Sequence, residues 1–135
     1  MTGHYWVLDS GALMAYVQGV ETVGEILVDL ADADIDATVA IPVTCLLEAY
    51  SQLHHDEHEL LRMLRRNPAI RTVMPSTDSD RGDDCPMIGG MARRAGRLGA
   101  GHAAFVALTS AAAVITSRAD QIRAALGDEW EIIEV

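Results

Sequence analysis

Short apolar runs with strand character alternate with amphipathic helical stretches along almost the whole chain. The first run, Tyr5 to Leu8, is closed by Asp9, after which apolar residues recur at helical spacing from Ala12 to Val17. Further strands are predicted at Thr38 to Ile41, Ile70 to Met74, Ala112 to Ile115 and Trp130 to Val135. Parallel strands need crossover connections, usually helices, which cover both faces of the sheet. The alternation therefore predicts an α/β fold, a three-layer α/β/α domain with a central, mostly parallel sheet.

The segments between and after these strands carry their own start and stop signals. A helix is predicted from about Pro86 to Leu98, with Gly99 to Gly101 as a break before a second helix from His102 to Ser110. The stretch Ser76 to Asp84 is rich in Ser, Asp and Gly and is expected to be a loop. Ser117 and Asp120 have the S-x-x-D spacing of a helix capping box.

Length and composition limit what such a chain can do. Its 135 residues fit a single domain spanning 1–135. The formal net charge is −10 and all 10 basic residues are arginines, so a broad cationic face for duplex DNA is not expected. Cys45 and Cys85 have no CxxC spacing, which fits a reduced, cytoplasmic protein, and no apolar stretch predicts contact with a membrane. Much of the surplus acid lies in Asp32 to Asp36 and Asp78 to Asp84, which we expect on the surface.

Polar residues that follow the predicted strands are the first candidates for a site. Asp9 follows the first strand, Glu48 lies on the helix after the second, and Thr116, Ser117 and Arg118 follow the penultimate one. In open parallel sheets, ligands collect where the strands end at their carboxyl edge. We therefore expect these side chains to share one polar pocket.

Three segments of the sequence resemble the PIN-domain family, which includes the VapC-type toxins of bacterial toxin–antitoxin pairs and other ribonucleases. Val7 to Leu13 is similar to the family's opening strand, catalytic aspartate and small-residue turn. Ile41 to Ala49 is similar to its strand, proline and helix-borne glutamate. His102 to Leu108, followed by Val114 to Ser117, resembles the helix and strand that carry the remaining acids. The order of elements agrees along essentially the whole chain.

This resemblance implies a metal-dependent endoribonuclease in which clustered carboxylates hold Mg²⁺ or Mn²⁺ ions that activate water. Asp9 would be a direct metal ligand, Glu48 a metal or water ligand, and Thr116 would support the site from the strand end. The resemblance also implies a homodimer, an antitoxin or another protein as partner, and RNA as a further partner.

The chain departs from the family pattern at three acidic positions. His102 and Arg118 each stand where the family has an aspartate, and Gly99 stands where a further acid is often found. Histidine would shift the preference toward Mn²⁺ or Zn²⁺, and Asp120, two residues after Arg118, is a candidate replacement ligand. Our hypothesis is that Arg118 substitutes for the ion by pairing bidentately with Asp9 or Glu48.

The sequence is consistent with two functions, and they differ in whether the chain is an enzyme. The favoured one is a PIN-like protein with a degraded metal site, weak or inactive as a nuclease, that binds RNA or a protein partner. The alternative is an active Mg²⁺- or Mn²⁺-dependent endoribonuclease, the toxin of a toxin–antitoxin pair, that uses Asp9 and Glu48 with His102 or Asp120 as compensation.

Other patterns in the chain have simpler structural explanations. His54 to His58 matches H-x-x-E-H, but the segment is charged and is typical of the exposed start of a helix. Asp78 to Asp84 lacks the ligand register and terminal glutamate of a calcium loop. Two arginine clusters could meet RNA phosphates or an acidic partner: Arg62, Arg65, Arg66 and Arg71, and Arg93, Arg94 and Arg97.

Overall fold

A parallel sheet of five strands runs through the middle of the chain, in a computed structural model that describes residues 4–32 and 38–135. The strands of the described residues are β1 (His4–Leu8), β2 (Thr38–Pro42), β3 (Ile70–Val73), β4 (Thr77–Asp78), β5 (Gly82–Asp83), β6 (Ala113–Thr116) and β7 (Ile132–Glu134). The large sheet has the order β3-β2-β1-β6-β7, and each neighbouring pair in it is parallel. The predicted parallel sheet is therefore confirmed.

Helices connect these strands and cover both faces of the sheet. They are α1 (Ser10–Val17), α2 (Glu21–Asp32), α3 (Val43–Gln52), α4 (His58–Arg65), α5 (Cys85–Ala95), α6 (Leu98–Ser110) and α7 (Ala119–Leu126), with a 3-10 turn at His55–Glu57 before α4. This gives the three-layer α/β/α architecture that the sequence predicts.

Two apolar cores form because successive residues of a strand point to opposite faces. On one face, Leu8, Ile41 and Ile115 pack with residues of α1, α2, α3 and α4. On the other face, Val7, Ala40 and Val114 pack with residues of α5, α6 and α7. The continuous apolar character of these strands is what a sheet that is buried on both faces requires.

The break between α5 and α6 lies earlier than the sequence predicts. Gly96, not the segment Gly99 to Gly101, ends α5, and its φ of 83° is the left-handed conformation that glycine adopts at helix ends. Gly99 and Gly101 lie inside α6, where both are buried. A Cβ atom at Gly101 would overlap the backbone of Ala92 in α5, so this glycine serves the close approach of two helices.

Two further predictions differ from the structure. The expected loop at Ser76 to Asp84 contains a small antiparallel hairpin, in which β4 pairs with β5. It is held by side chains, since the hydroxyl of Ser76 donates to the carbonyl of Gly82 and Asp84 Oδ2 accepts from the amide of Ser76 at 2.7 Å. The capping box at Ser117 and Asp120 is wrong, because Arg118 and not Ser117 is the N-cap of α7, and the Arg118 side chain makes no capping hydrogen bond.

The predicted acidic surface can be checked only in part. Residues 78–83 are exposed and Asp84 is half-buried, whereas most of the segment from Asp32 to Asp36 lies outside the described residues. Within the described ranges, the helices are too short or too polar for any of them to span a lipid bilayer.

Candidate functional site

The candidate site lies where the strand order of the large sheet reverses. The chain runs from β1 outward through β2 to β3, and later returns to the other side of β1 with β6 and β7. β1 and β6 are hydrogen-bonded neighbours, with Leu8 opposite Ile115. Asp9 and Thr116 therefore meet at the carboxyl edge of the sheet, at the switch point where such folds bind ligands.

Asp9 is a buried carboxylate whose two oxygens both accept hydrogen bonds from the protein. It is the N-cap of α1, and its Oδ1 accepts from the amide of Ala12 at 2.9 Å. Its Oδ2 accepts from the hydroxyl of Thr116. With only 2% of its surface exposed, burial raises the pKa of Asp9, and the two hydrogen bonds and the charge of Arg118 oppose that rise.

Arg118 is attached to the same place from its backbone and from its side chain. Its amide donates to Thr116 Oγ1 at 2.8 Å, and its guanidinium Nη1 donates to Ser10 Oγ at 3.0 Å. The bidentate pairing with Asp9 or Glu48 that the sequence suggested is therefore wrong. Among the described ion pairs none joins Arg118 to a carboxylate, because its guanidinium is directed to Ser10. We call Asp9, Ser10, Thr116 and Arg118 the strand-end network.

Glu48 approaches the site from α3 and packs against α6. A Cβ atom at Gly99 would overlap Glu48 Oε1, so the carboxylate occupies the space that a side chain at position 99 would need. Glu48 Oε1 is buried and has no hydrogen-bond partner in the described chain. Beside it, the Cys45 thiol donates to the carbonyl of Gly99 at 3.0 Å. Burial raises the pKa of Cys45 well above its ordinary value, and the charges of Asp9 and Glu48 act in the same direction.

His102 lies one helical turn beyond Gly99, in the second turn of α6 and not at a helix start. It is 1% exposed, and its Nδ1 is 3.0 Å from Thr44 Oγ1 of α3. Its Nε2 has no partner among the described residues. Burial lowers the pKa of His102, and the charge of Asp84 opposes this. We call Thr44, Cys45, Glu48, Gly99 and His102 the helix-pair face.

Asp120, the candidate replacement ligand, is exposed in the first turn of α7. The two groups whose charges act on Asp9 are Arg118 and Glu48 among the described residues, and Asp120 does not belong to them. The structure thus brings Asp9, Thr116 and Arg118 together, places Glu48 close by, and leaves Asp120 outside.

The donor set does not fit a divalent cation well. Mg²⁺ and Mn²⁺ favour several oxygen ligands with net negative charge, yet both oxygens of Asp9 already accept hydrogen bonds and a guanidinium lies beside it. Over residues 4–32 and 38–135, no three His, Cys, Asp or Glu side chains form a group that could hold a metal ion. The feature that favours an ion is the unpartnered Oε1 of Glu48.

The other motifs from the sequence lie away from this pocket or serve local structure. His54 and Glu57 form a capping box at the 3-10 turn, in which each side chain bonds the other's backbone amide. Asp78 Oδ1 accepts from the amides of Asp80 and Arg81 within the hairpin. Several arginines of the two clusters are exposed: Arg62, Arg65, Arg66, Arg71, Arg93 and Arg94.

Two residues of the site were missed by the sequence analysis. The hydroxyl oxygen of Ser10 accepts a hydrogen bond from the guanidinium of Arg118, and the hydroxyl of Thr44 contacts the ring of His102. Thr44 could have been found, because it lies four residues before Glu48 and therefore on the same face of a helix. Ser10 follows Asp9 directly, but nothing local indicates that a residue 108 positions away would bond to it.

The chain is similar to known proteins in its structure, whereas comparisons of its sequence find no match. No family model matches the chain, and no curated protein matches its sequence. Among solved structures, the crystal structure of PAE2754 from Pyrobaculum aerophilum is 16% identical with a TM-score of 0.61, over 98% of this chain and 91% of the other. VapBC-1 from nontypeable Haemophilus influenzae is 13% identical with a TM-score of 0.60, over 96% of this chain and 97% of the other.

At these identities the likeness concerns the fold. VapC-type toxins belong to the PIN-domain family that the three sequence segments resemble, and the match to a VapBC structure spans nearly all of both chains. The topology, the position of Asp9 at the switch point and these likenesses agree, and the fold of this chain is PIN-like.

Proposed function

We propose that this chain is a PIN-like protein that acts by binding a protein partner, and that its acidic pocket supports little or no metal-dependent cleavage of RNA. The observation that carries the proposal is the strand-end network. A guanidinium is fixed beside Asp9 where metal chemistry would need negative charge. Fold alone does not supply chemistry, so the charges of the pocket decide between the functions.

The electrostatics of the pocket oppose a hard cation. A fixed positive charge repels Mg²⁺ or Mn²⁺ and reduces the net negative charge of the two carboxylates. Cation affinity should therefore be low, and with it any activation of water by a bound ion.

A groove between α2 and α4 supports the binding function. Its volume is about 320 Å³, and Val28 and Met63 line it while 59% and 56% exposed. The remaining lining residues are Tyr16, Gly24, Leu27, Leu64 and Asn67. Glu21, Glu25 and Asp29 follow one another at four-residue spacing along α2, beside Val28. An apolar groove with an acidic rim fits a basic amphipathic helix, such as a segment of an antitoxin-like protein.

An active endoribonuclease is the second candidate, and one observation favours it. The buried Oε1 of Glu48 has no partner in the described residues, as expected for a ligand atom that waits for an ion. This candidate predicts cleavage that depends on both Glu48 and Asp9. RNA is then the substrate, and a toxin–antitoxin pair is the biological context.

An RNA cleavage assay separates the two candidates. The purified protein is incubated with structured RNAs in Mg²⁺ or Mn²⁺, with Asp9→Asn as the matched variant. We expect no difference between the wild type and this variant, because the wild type has no competent ion site. Cleavage that the wild type performs and that Asp9→Asn abolishes would establish the endoribonuclease and contradict the proposal.

The partner surface is tested with the product of any small gene that neighbours the coding gene. Val28→Asp places a charge in the groove, and Leu108→Asp places the same charge at an exposed apolar residue of α6 outside it. Loss of a central apolar contact should weaken binding by about tenfold or more in Val28→Asp. Equal binding of the two variants would exclude the groove, and a complex that needs RNA would show the partner to be nucleic acid.

A further inference from the structure

We infer that Arg118 is the built-in counter-cation of the acidic pocket, and that replacing it by an acid converts the pocket into a divalent-cation site. This inference deepens the proposed function, since it explains how two neighbouring carboxylates persist in a PIN-like pocket without an ion. It concerns residues of this chain and can be tested by binding and stability, independently of any nuclease activity.

The need for a counter-charge follows from the burial of Asp9. A carboxylate that is 2% exposed loses most of its hydration, and buried charges are stable only when hydrogen bonds and opposite charge replace the lost water. Neutral groups, Ala12 and Thr116, supply its hydrogen bonds. Glu48 brings a second carboxylate with a buried oxygen, and Arg118 is the cation that hydrogen bonds join to Asp9 through Thr116 and to Ser10 beside it.

Two contacts hold Arg118 in this position. Its amide bonds to Thr116 Oγ1, the hydroxyl that in turn donates to Asp9, so its backbone is linked to the carboxylate through one side chain. Its guanidinium bonds to Ser10, the residue next to Asp9, which is also 2% exposed. These two bonds fix the start and the end of the side chain, so the guanidinium is held in a half-buried place next to Asp9.

The packing around the network restricts the loop that carries Arg118. A Cβ atom at Gly11 would overlap the side-chain oxygen of Ser117, so the start of α1 and the segment after β6 lie in direct contact. This contact and the bond from the amide of Arg118 to Thr116 hold the backbone of residue 118 near Asp9. The same restriction should hold an acidic side chain at position 118 near Asp9 and Glu48, where three carboxylates would create the oxygen-rich set that a divalent ion prefers.

Arg123 provides a matched control in α7, the helix that Arg118 precedes as N-cap. It pairs with the exposed Glu134 at 3.3 Å and takes no part in the pocket. Exposed pairs of this kind contribute little to stability. Arg123→Gln therefore removes one positive charge from α7 and from the net charge of the protein without changing the strand-end network.

The experiment measures Mn²⁺ binding by calorimetry and thermal unfolding in EDTA or in Mn²⁺. For the wild type and Arg123→Gln we expect no saturable binding and equal Tm values in both buffers. For Arg118→Asp we expect saturable binding, at least about tenfold tighter than the weakest binding that the calorimeter would detect in the wild type, and a Tm that is low in EDTA and restored by Mn²⁺. Arg118→Gln should lower the Tm in EDTA more than Arg123→Gln does.

Two results would overturn the inference. One is wild-type Mn²⁺ binding that Asp9→Asn abolishes, because the pocket would then hold an ion beside Arg118. The other is a folded Arg118→Asp that binds Mn²⁺ no better than the wild type. If Arg118→Asp does not fold in either buffer, Arg118→Gln decides: a Tm equal to that of Arg123→Gln contradicts the inference, and a lower one supports it. A folded Arg118→Asp that binds Mn²⁺ no better than the wild type would leave the proposed function intact, and failure of partner binding at the groove would leave the Mn²⁺ and Tm results unchanged, so the two proposals can fail separately.

Discussion

The two carboxylates of the pocket are in opposite hydrogen-bonding situations. In the strand-end network each oxygen of Asp9 accepts a hydrogen bond, and Thr116 and Arg118 are bonded as well. On the helix-pair face, Glu48 Oε1 and His102 Nε2 are buried without partners in the described chain. Residues that satisfy one another stabilise a fold, whereas unpartnered buried atoms cost free energy and mark a place where a ligand can bind.

This contrast suggests a division of labour within one pocket. The strand-end network joins β1, α1, β6 and α7, so a change there should affect the stability of the whole protein. The helix-pair face joins only α3 and α6. Thr44 contacts His102 and the Cys45 thiol donates to the carbonyl of Gly99, but Glu48 Oε1 and His102 Nε2 have no hydrogen-bond partner in the described residues. Substitutions that remove hydrogen-bonding groups should therefore be costly in the first region and cheap in the second.

The largest effect is expected for Thr116→Val. The substitution preserves shape but leaves Asp9 Oδ2 and the amide of Arg118 without their partner inside the protein. Burying unsatisfied groups of this kind should lower the free energy of unfolding by about 2–3 kcal/mol. Urea denaturation at pH 7 measures the change.

The matched control is Thr109→Val, which removes the same hydroxyl from an exposed residue of α6 that bonds only to helical carbonyls. Exposed substitutions usually stay within about 0.5 kcal/mol. If both variants lost the same stability, the strand-end network would contribute nothing special and the contrast would disappear.

Sequence reasoning predicted the strand-end network better than the helix-pair face. Strand ends follow from the apolar period, and parallel strands end at one edge, so the sequence pattern alone places Asp9 and Thr116 together. The bond from Arg118 to Ser10 could not be found in this way, because a guanidinium near several acceptors chooses its partner by geometry. The pairing with a carboxylate was predicted because Arg118 stands where the family has an aspartate while Asp9 and Glu48 are retained, and it was wrong.

The helix-pair face depends on glycines whose purpose the sequence hides. Gly99 and Gly101 looked like a helix break because glycine disfavours helix interiors. In the structure they are helical, and each gives room to a neighbour, Glu48 or Ala92. Gly96 does end α5, but in the sequence it is a glycine like Gly99 and Gly101, and nothing in the residue type separates it from them. Only packing between helices separates these roles, and such contacts are not encoded in a local pattern.

Asp9→Asn removes the charge of the first region. The amide keeps the shape and its oxygen can still accept from Ala12, while its NH2 group would donate to Thr116 Oγ1 where Oδ2 had accepted. Burial raises the pKa of Asp9 above its ordinary value of 3.8, so the folded state holds this proton more tightly than the unfolded state. The wild type should therefore lose stability relative to Asp9→Asn as the pH rises from about 3.8 through the folded-state pKa.

Above the folded-state pKa, the stability lost by the wild type relative to Asp9→Asn should be constant. It should equal about 1.4 kcal/mol for each tenfold difference in the proton dissociation constant of Asp9 between the folded and unfolded states. Urea denaturation of both proteins between pH 4 and pH 8 gives the curve, and subtracting one from the other cancels the titration of all other groups. If the stability of the wild type relative to Asp9→Asn did not change with pH, or rose as the pH rises, Arg118 and the hydrogen bonds would balance or outweigh the effect of burial on the pKa of Asp9.

His102→Phe tests the second region. The ring keeps its place in α6, the unpartnered Nε2 disappears, and Thr44 is left to bond a helical carbonyl. We expect a change of less than about 1.5 kcal/mol at pH 7, since volume-conserving changes in a core are tolerated. Burial lowers the pKa of His102 from 6.5, so the wild type should lose stability relative to His102→Phe as the pH falls below 6.5, with the charge of Asp84 reducing the loss. A large loss at pH 7 would place His102 with the strand-end network.

The smallest effect is expected for Gly99→Ala, and it measures how firmly Glu48 is held. The new methyl group would overlap Glu48 Oε1, which is the end of a flexible, half-buried side chain and can move toward solvent. Gly89→Ala is the control, because nothing lies near that position of α5. Replacing glycine by alanine inside a helix should stabilise the control by about 0.5–1 kcal/mol. Thermal or urea unfolding of the two variants then isolates the cost of displacing Glu48 as the difference between them.

We expect Gly99→Ala to gain less than the control, with a deficit of about 0.5–1 kcal/mol, since the carboxylate leaves a place where it makes no hydrogen bond. An equal gain in both variants would show that Glu48 has no preference for its buried position. A deficit as large as that of Thr116→Val would show the reverse, that Glu48 is as tightly held as Asp9. The comparison of Gly99→Ala with Gly89→Ala therefore decides whether the two carboxylates differ, because the new methyl group meets Glu48 in the first variant and no neighbour in the second.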